Sequence, residues 1–188
     1  MGRTIGFIGA GKIVDIMLGA LCPAFGDDEL WVWNRTASRS EALAARYPVS
    51  VSPSVKDLAE RSDWLFVAVK PYAVAKVLSE ACLSVRDDAL VISMAAGVTI
   101  DAIKTHFAAP PAIVRIMPNL PLKAGCGMTA ICPDPSVKQA DIDALLALFS
   151  SVGRARLIEE RLFDTVTALS GSGPAFAFLF IESMADGA

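Results

Sequence analysis

Residues 5–18 read IGFIGAGKIVDIML. A β-rich run, IGFI, passes through the glycine turn GAG into an apolar stretch suited to a helix. That is the order of strand, phosphate-binding turn and helix N-terminus in a dinucleotide site. In a GxGxxG/A pattern the first glycine makes the tight turn and the second lets backbone approach a pyrophosphate, while the third position lets helix and strand pack closely. Those positions hold Gly9, Gly11 and Val14, so the third is larger than the pattern asks. The amides of Ala10 to Ile13 are expected at a helix N-terminus, where anions are favoured.

Outward from this turn, the β-rich runs TIGFI, LWVW, PVSVS, WLFVAV, ALVISM and AIVRIM alternate with helical patterns at 12–22, SRSEALAARY, KDLAERS, YAVAKVLSEA and TIDAIKTHF. Alternation of this kind predicts stacked βαβ units. The near-continuous apolar character of WLFVAV and ALVIS suits strands covered on both faces. The predicted fold is α/β, a Rossmann-like doubly wound, mainly parallel sheet followed by the start of an α-helical domain.

After Met117 the rhythm changes. MPNLPLKAGCG predicts a loop, GMTAICP a strand, PSVKQADIDALLALFSSVG a helix capped by Asp134 or Ser136 and ended by Gly153, and RARLI a last strand. From Glu159 the pattern is helical again, broken by a loop at ALSGSGPA. The final PAFAFLFIESMADGA is apolar all round, as befits a helix buried in a core. The expected division is a dinucleotide-binding domain over 1–160 and, over 161–188, the beginning of a helical substrate and dimerisation domain whose remainder is absent. Residues 174–188 are then expected to be exposed, mobile or used in self-association.

Composition narrows the chemistry. Of 188 residues, 54% are hydrophobic, and 17 basic against 20 acidic residues leave a net charge of −3, which argues against a nucleic-acid or anionic membrane surface and for a small-molecule partner. The start MGRTIGFIG enters a strand pattern without a signal-peptide core, and no apolar run reaches the roughly 18 residues of a membrane helix, so a cytoplasmic protein is expected. Cys22, Cys82, Cys126 and Cys132 lack CxxC spacing and His106 is the single histidine. Neither a metal site nor a Ser/His/Asp triad is expected. The cysteines are read as small buried hydrophobes, and His106 as a solvated side chain within a helix DAIKTHFAA.

The end of the second β-run discriminates between cofactors. An NAD site places Asp or Glu about 20 residues past the glycines to hold the ribose 2′-hydroxyl. WVWNRTASRS carries Asn34, Arg35 and Thr36 instead. A guanidinium and hydroxyl suit a 2′-phosphate that a carboxylate would repel, so NADP is expected, with NADPH preferred over NADH.

Taken in order, the glycine turn, NRT, VKP at 69–71, MAAGVTI at 94–100, RIMPNLP at 115–121 and ALSGSGPAFAF at 168–178 make the sequence resemble the pyrroline-5-carboxylate reductase family. That resemblance implies NAD(P)H-dependent reduction of 1-pyrroline-5-carboxylate to L-proline, the last step of proline biosynthesis. It implies that Ile8, Gly9, Ala10, Gly11, Lys12 and Ile13 line the pyrophosphate and that Asn34, Arg35 and Thr36 surround the adenosine phosphate. Ala68, Val69, Lys70 and Pro71, with Met94, Ala95 and Ala96, would wall the middle and nicotinamide end of the cofactor. Asn119 and the Ser170, Gly171, Ser172, Gly173, Pro174 turn would lie on the side of a cyclic imine substrate. A homo-oligomer is implied where the full helical domain is present.

Departures from the family pattern are GAGKIV for GAGNMA, MPNLP for MPNTP, and SVKD where Asn commonly follows Ser. Val14 is expected to push its helix from the turn, Val55 to forgo a polar contact, and Leu120 to remove a hydroxyl near the nicotinamide pocket. The family's Gly- and Thr-rich carboxylate-binding segment has no counterpart in these residues, and no catalytic residue is assigned. Two other readings are another NADP-dependent imine or β-hydroxyacid oxidoreductase, and a cofactor-binding module without turnover.

Overall fold

Strict alternation of apolar side chains to the two faces of the strands organises the molecule. The computed structural model describes residues 2–188. The chain runs through β1 (Thr4–Ile8), α1 (Lys12–Phe25), β2 (Glu29–Trp33), α2 (Ala37–Ala44), β3 (Ser50–Val51), α3 (Val55–Arg61), β4 (Trp64–Val67), α4 (Pro71–Ala81), β5 (Leu90–Ser93), α5 (Ile100–Lys104) and β6 (Ala112–Met117). A 3₁₀ turn, Leu120–Ala124, leads into β7 (Gly127–Pro133), α6 (Gln139–Ser150) and β8 (Gly153–Leu157). The eight strands form one sheet in the order β3-β2-β1-β4-β5-β6-β7-β8. β1 to β6 pair in parallel, β7 runs antiparallel to β6, and β8 is parallel to β7.

Phe7, Phe66, Ile92 and Ile116 project into one core with Met17 and Leu21 of α1 and Leu145 and Phe149 of α6. Their neighbours Ile8, Leu65, Val67 and Val91 project into a second core with Leu58 of α3 and Leu78 of α4. Both faces are therefore dry, as the unbroken apolar runs of β4 and β5 require. The rings of Phe7 and Phe66 stack at 4.8 Å between centroids. Ser54 starts α3 by accepting the Asp57 N–H, and Thr99 starts α5 by accepting the Ala102 N–H, each at 3.1 Å.

Several local expectations are corrected. α1 continues past residue 22 through Pro23, and Phe25 meets the Phe7 ring edge-on. β3 keeps only Ser50–Val51, both exposed at the sheet edge. α5 stops at Lys104, leaving His106 half-buried in the following turn. Asp134 and Ser136 do not cap α6: Asp134 accepts the Ser136 N–H and hydroxyl before the helix, which starts after an uncapped Lys138. Gly153 opens β8 rather than closing α6; its φ is +150°, and a Cβ there would lie 2.2 Å from the Gly127 carbonyl oxygen. Of the cysteines only Cys132 is buried, whereas Cys22 and Cys82 are half-buried and Cys126 is exposed.

The chain leaves the sheet through an ion pair whose arginine is buried. Arg115, on β6 and 2% exposed, meets Glu160 at 2.8 Å, and its guanidinium lies 4.3 Å from the Phe163 ring centroid. Glu160 also accepts the Ile100 N–H at 2.8 Å. Beyond this anchor, α7 (Phe163–Val166), a π-helical turn over Thr167–Ser172 and α8 (Gly173–Asp186) follow without interruption. The expected loop at ALSGSGPA is thus helical, π-wound through Ser172 and α-helical from Gly173. Glycines and proline signal a break, but here Pro174 sits in the first turn of α8, where its missing N–H is tolerated. Every residue of α8 from Ala175 is exposed, Phe176, Phe178, Phe180 and Ile181 included.

Gly153→Ala should lower unfolding free energy by about 2 kcal/mol or more, because its positive φ and its contact with Gly127 are both lost to a side chain. Urea denaturation checks this.

Candidate functional site

β1 has neighbours that continue in opposite directions, toward β2 on one side and β4 on the other, so a crevice opens above its carboxyl end. The glycine turn occupies that point. Gly9 adopts φ +115°, and a Cβ would lie 2.6 Å from the Ala68 carbonyl oxygen. The Gly9 N–H donates to the Trp33 carbonyl at 2.7 Å and the Ala68 N–H to that of Ile8 at 2.9 Å, binding the ends of β1, β2 and β4 together. The Met94 N–H donates to the Val67 carbonyl at 3.0 Å and adds the end of β5.

Around this junction lie the residues expected for the cofactor: Ile8–Ile13 after β1, Asn34–Thr36 after β2, Ala68–Pro71 after β4 and Met94–Ala96 after β5. Gly11 is open, with nothing within 4 Å of the point a Cβ would occupy, so space for a phosphate exists beside the first amides of α1. Val14 is fully buried in the core and α1 still begins at Lys12, so the larger side chain has not detached the helix from the turn. Val55, the first residue of α3, is likewise buried in the second core.

Asn34 takes a role that its position alone did not signal. Its Oδ1 accepts the Ala10 N–H at 3.2 Å and its Nδ2 donates to the Thr36 carbonyl at 3.0 Å, so it braces the glycine turn and the start of α2. Lys12, Arg35, Arg39 and Lys70 are exposed near the same strand ends and make no ion pair among the described residues. Arg39, four residues after Arg35 in NRTASR, stands in the first turn of α2, and a second arginine in that stretch was the available signal. Asp15, in the first turn of α1, would oppose an anion, but Tyr47 donates to it at 2.7 Å and Arg46 pairs with it at 2.8 Å. The hydrogen bond to that carboxylate raises the Tyr47 phenol above its ordinary range.

Asn119 follows β6 at the same edge and is 8% exposed. Its Oδ1 accepts the Met128 N–H at 2.9 Å, while its Nδ2 donates to the Ser170 carbonyl at 3.0 Å and faces the Ser170 hydroxyl oxygen at 3.2 Å. Ser170 is thereby joined to the crevice; Gly171, Gly173 and Pro174 are half-buried and Ser172 is exposed. Leu120 is partly exposed beside this loop. No cluster of His, Cys, Asp or Glu suited to a metal ion occurs among the described residues.

Residues 4–97 match the family model described as NADP oxidoreductase, coenzyme F420-dependent, and residues 160–188 match that of pyrroline-5-carboxylate reductase dimerisation. The pyrroline-5-carboxylate reductase of Escherichia coli strain K12 is 38% identical over 191 residues, covering 100% of this chain and 71% of the relative. The chain belongs to the pyrroline-5-carboxylate reductase family. Among solved structures, the Streptococcus pyogenes reductase superposes with TM-score 0.90 at 30% identity, covering 99% of this chain and 70% of that one. The Plasmodium falciparum reductase, solved with NADP bound, gives TM-score 0.87 at 27% identity, covering 98% and 68%. For a reductase of this family, the open surface at Gly11 and the closed one at Gly9 separate ligand space from fold-supporting space.

Gly9→Ala should cost about 2 kcal/mol or more of stability through strain against Ala68, whereas Gly11→Ala should leave stability within about 1 kcal/mol. Thermal unfolding of the two variants side by side checks the contrast.

Proposed function

We propose that this chain reduces 1-pyrroline-5-carboxylate to L-proline, with NADPH preferred over NADH. The observation that carries the reading is the meeting, at one sheet edge, of an open glycine turn, cations that make no ion pair among the described residues, and the Ser170–Pro174 turn. Family membership supplies the substrate, through the name of the Escherichia coli relative.

The residues fit the cofactor. The amides of Gly11 to Ile13 open α1 beside free space and suit a pyrophosphate. Arg35, Thr36 and Arg39 at the start of α2 suit a 2′-phosphate, and no carboxylate stands among them to repel it. Ala68–Pro71 and Met94–Ala96 wall the crevice toward β5. When bound, NADPH supplies the hydride for the C=N carbon. The chain contributes binding and orientation. An iminium accepts hydride more readily than a neutral imine, so a substrate bound in protonated form needs no strong protein acid. The substrate-side residues Asn119 and Ser170–Pro174 include no group that titrates near neutrality.

We further assign residues 1–160 to cofactor binding and 161–188 to a helical substrate and dimerisation segment, in a cytoplasmic enzyme. The exposed apolar surface of α8 supports self-association, in keeping with the dimerisation match.

NADPH should bind about tenfold or more tightly than NADH, and Arg35→Ala should erode the difference. Equal affinities in fluorescence titrations of the unsubstituted chain would refute the preference. NADPH absorbance should fall on addition of pyrroline-5-carboxylate; no loss would count against the reductase reading. Replacing Phe178 and Ile181 by Glu should reduce the mass seen by sedimentation, and a monomeric unsubstituted chain would overturn the proposed association.

A further inference from the structure

We infer that Asn119 is a positioning residue that latches the Ser170–Pro174 turn to the carboxyl edge of the sheet. Its substrate consequence rests on the reductase reading above. In an α-helix the Ser170 carbonyl would accept the N–H of Pro174, and proline has none. Asn119 Nδ2 supplies a hydrogen to that carbonyl from outside the helix, at 3.0 Å. The same helical segment is π-wound, a local widening found often at functional sites.

The asparagine cannot swing freely, because its Oδ1 is held by the Met128 N–H at the start of β7. One amide therefore spans three parts of the chain: the end of β6, the start of β7 and the helical turn. Its orientation is fixed by the strand, and the turn is fixed by its orientation. A structural fastening of the whole C-terminal segment is provided separately by Arg115 and Glu160, farther back along β6. The two attachments divide the work: the ion pair keeps the segment docked, and Asn119 sets the place of the turn relative to the glycine cradle.

Asn119→Asp separates these roles, because the substituent retains an acceptor for Met128 and loses the amide donor to Ser170. Hydrogen exchange at Gly171, Ser172, Gly173 and Ala175 should quicken about tenfold or more, with the Met128 amide and the segment around Glu160 unchanged. Ser170→Ala should have a smaller effect, since its backbone carbonyl remains. With pyrroline-5-carboxylate as substrate, KM should rise about tenfold while the NADPH dissociation constant stays the same. Unchanged exchange at the turn would overturn the latch, as would faster exchange spread equally over the chain. Faster exchange with an unchanged KM would overturn the positioning role. Failure of the unsubstituted chain to bind NADPH or to turn over substrate would refute the reductase reading instead, and the exchange comparison would still decide the latch.

Discussion

The contact between Gly9 and the Ala68 carbonyl governs the arrangement around it. β1 must lie hydrogen-bonded between β2 and β4 while the chain turns sharply away from its end, and only a residue without a Cβ permits that approach. Once β1 is so placed, the ends of β2, β4 and β5 gather around one crevice. Both faces of the sheet are closed by helices, so the polar backbone left for a ligand lies at this edge.

Most of that frame is legible in the sequence. Alternating β and helical periods specify the parallel block, and the strand-ending motifs fall at the crevice because carboxyl ends of parallel strands share an edge. Less legible is what happens where local signals conflict with tertiary contacts. Gly171, Gly173 and Pro174 carry the signature of a loop, yet the chain stays helical through them, π-wound at Gly171 and α-helical at Gly173 and Pro174, with Asn119 bound to Ser170 alongside. Gly153 has the character of a helix terminus, but its requirement comes from pairing with Gly127, a partner far away in sequence. Asp134 and Ser136 satisfy one another before α6 begins, which no spacing rule distinguishes from a cap.

The site itself divides in the same way. Gly9, Gly11 and Arg35 could be chosen from their order along the chain. The bracing role of Asn34 could not, because it depends on a bond to Ala10 across two strands. The orientation of Asn119 likewise depends on Met128, which approaches only after the chain has reversed.

That reversal has an architectural consequence. β7 and β8 carry the chain through the sheet in the sense opposite to the parallel block, and β8 ends with Leu157 opposite Ile131, itself opposite Ile116 near the end of β6. From Glu160, paired with Arg115, the helical segment runs to Ser170, which meets Asn119 just past the end of β6. It therefore leaves from the same sheet edge as the glycine turn rather than from the opposite one. α8 begins three residues after that contact, so the exposed apolar surface that runs from Phe176 starts close to the edge where the strand-ending motifs gather.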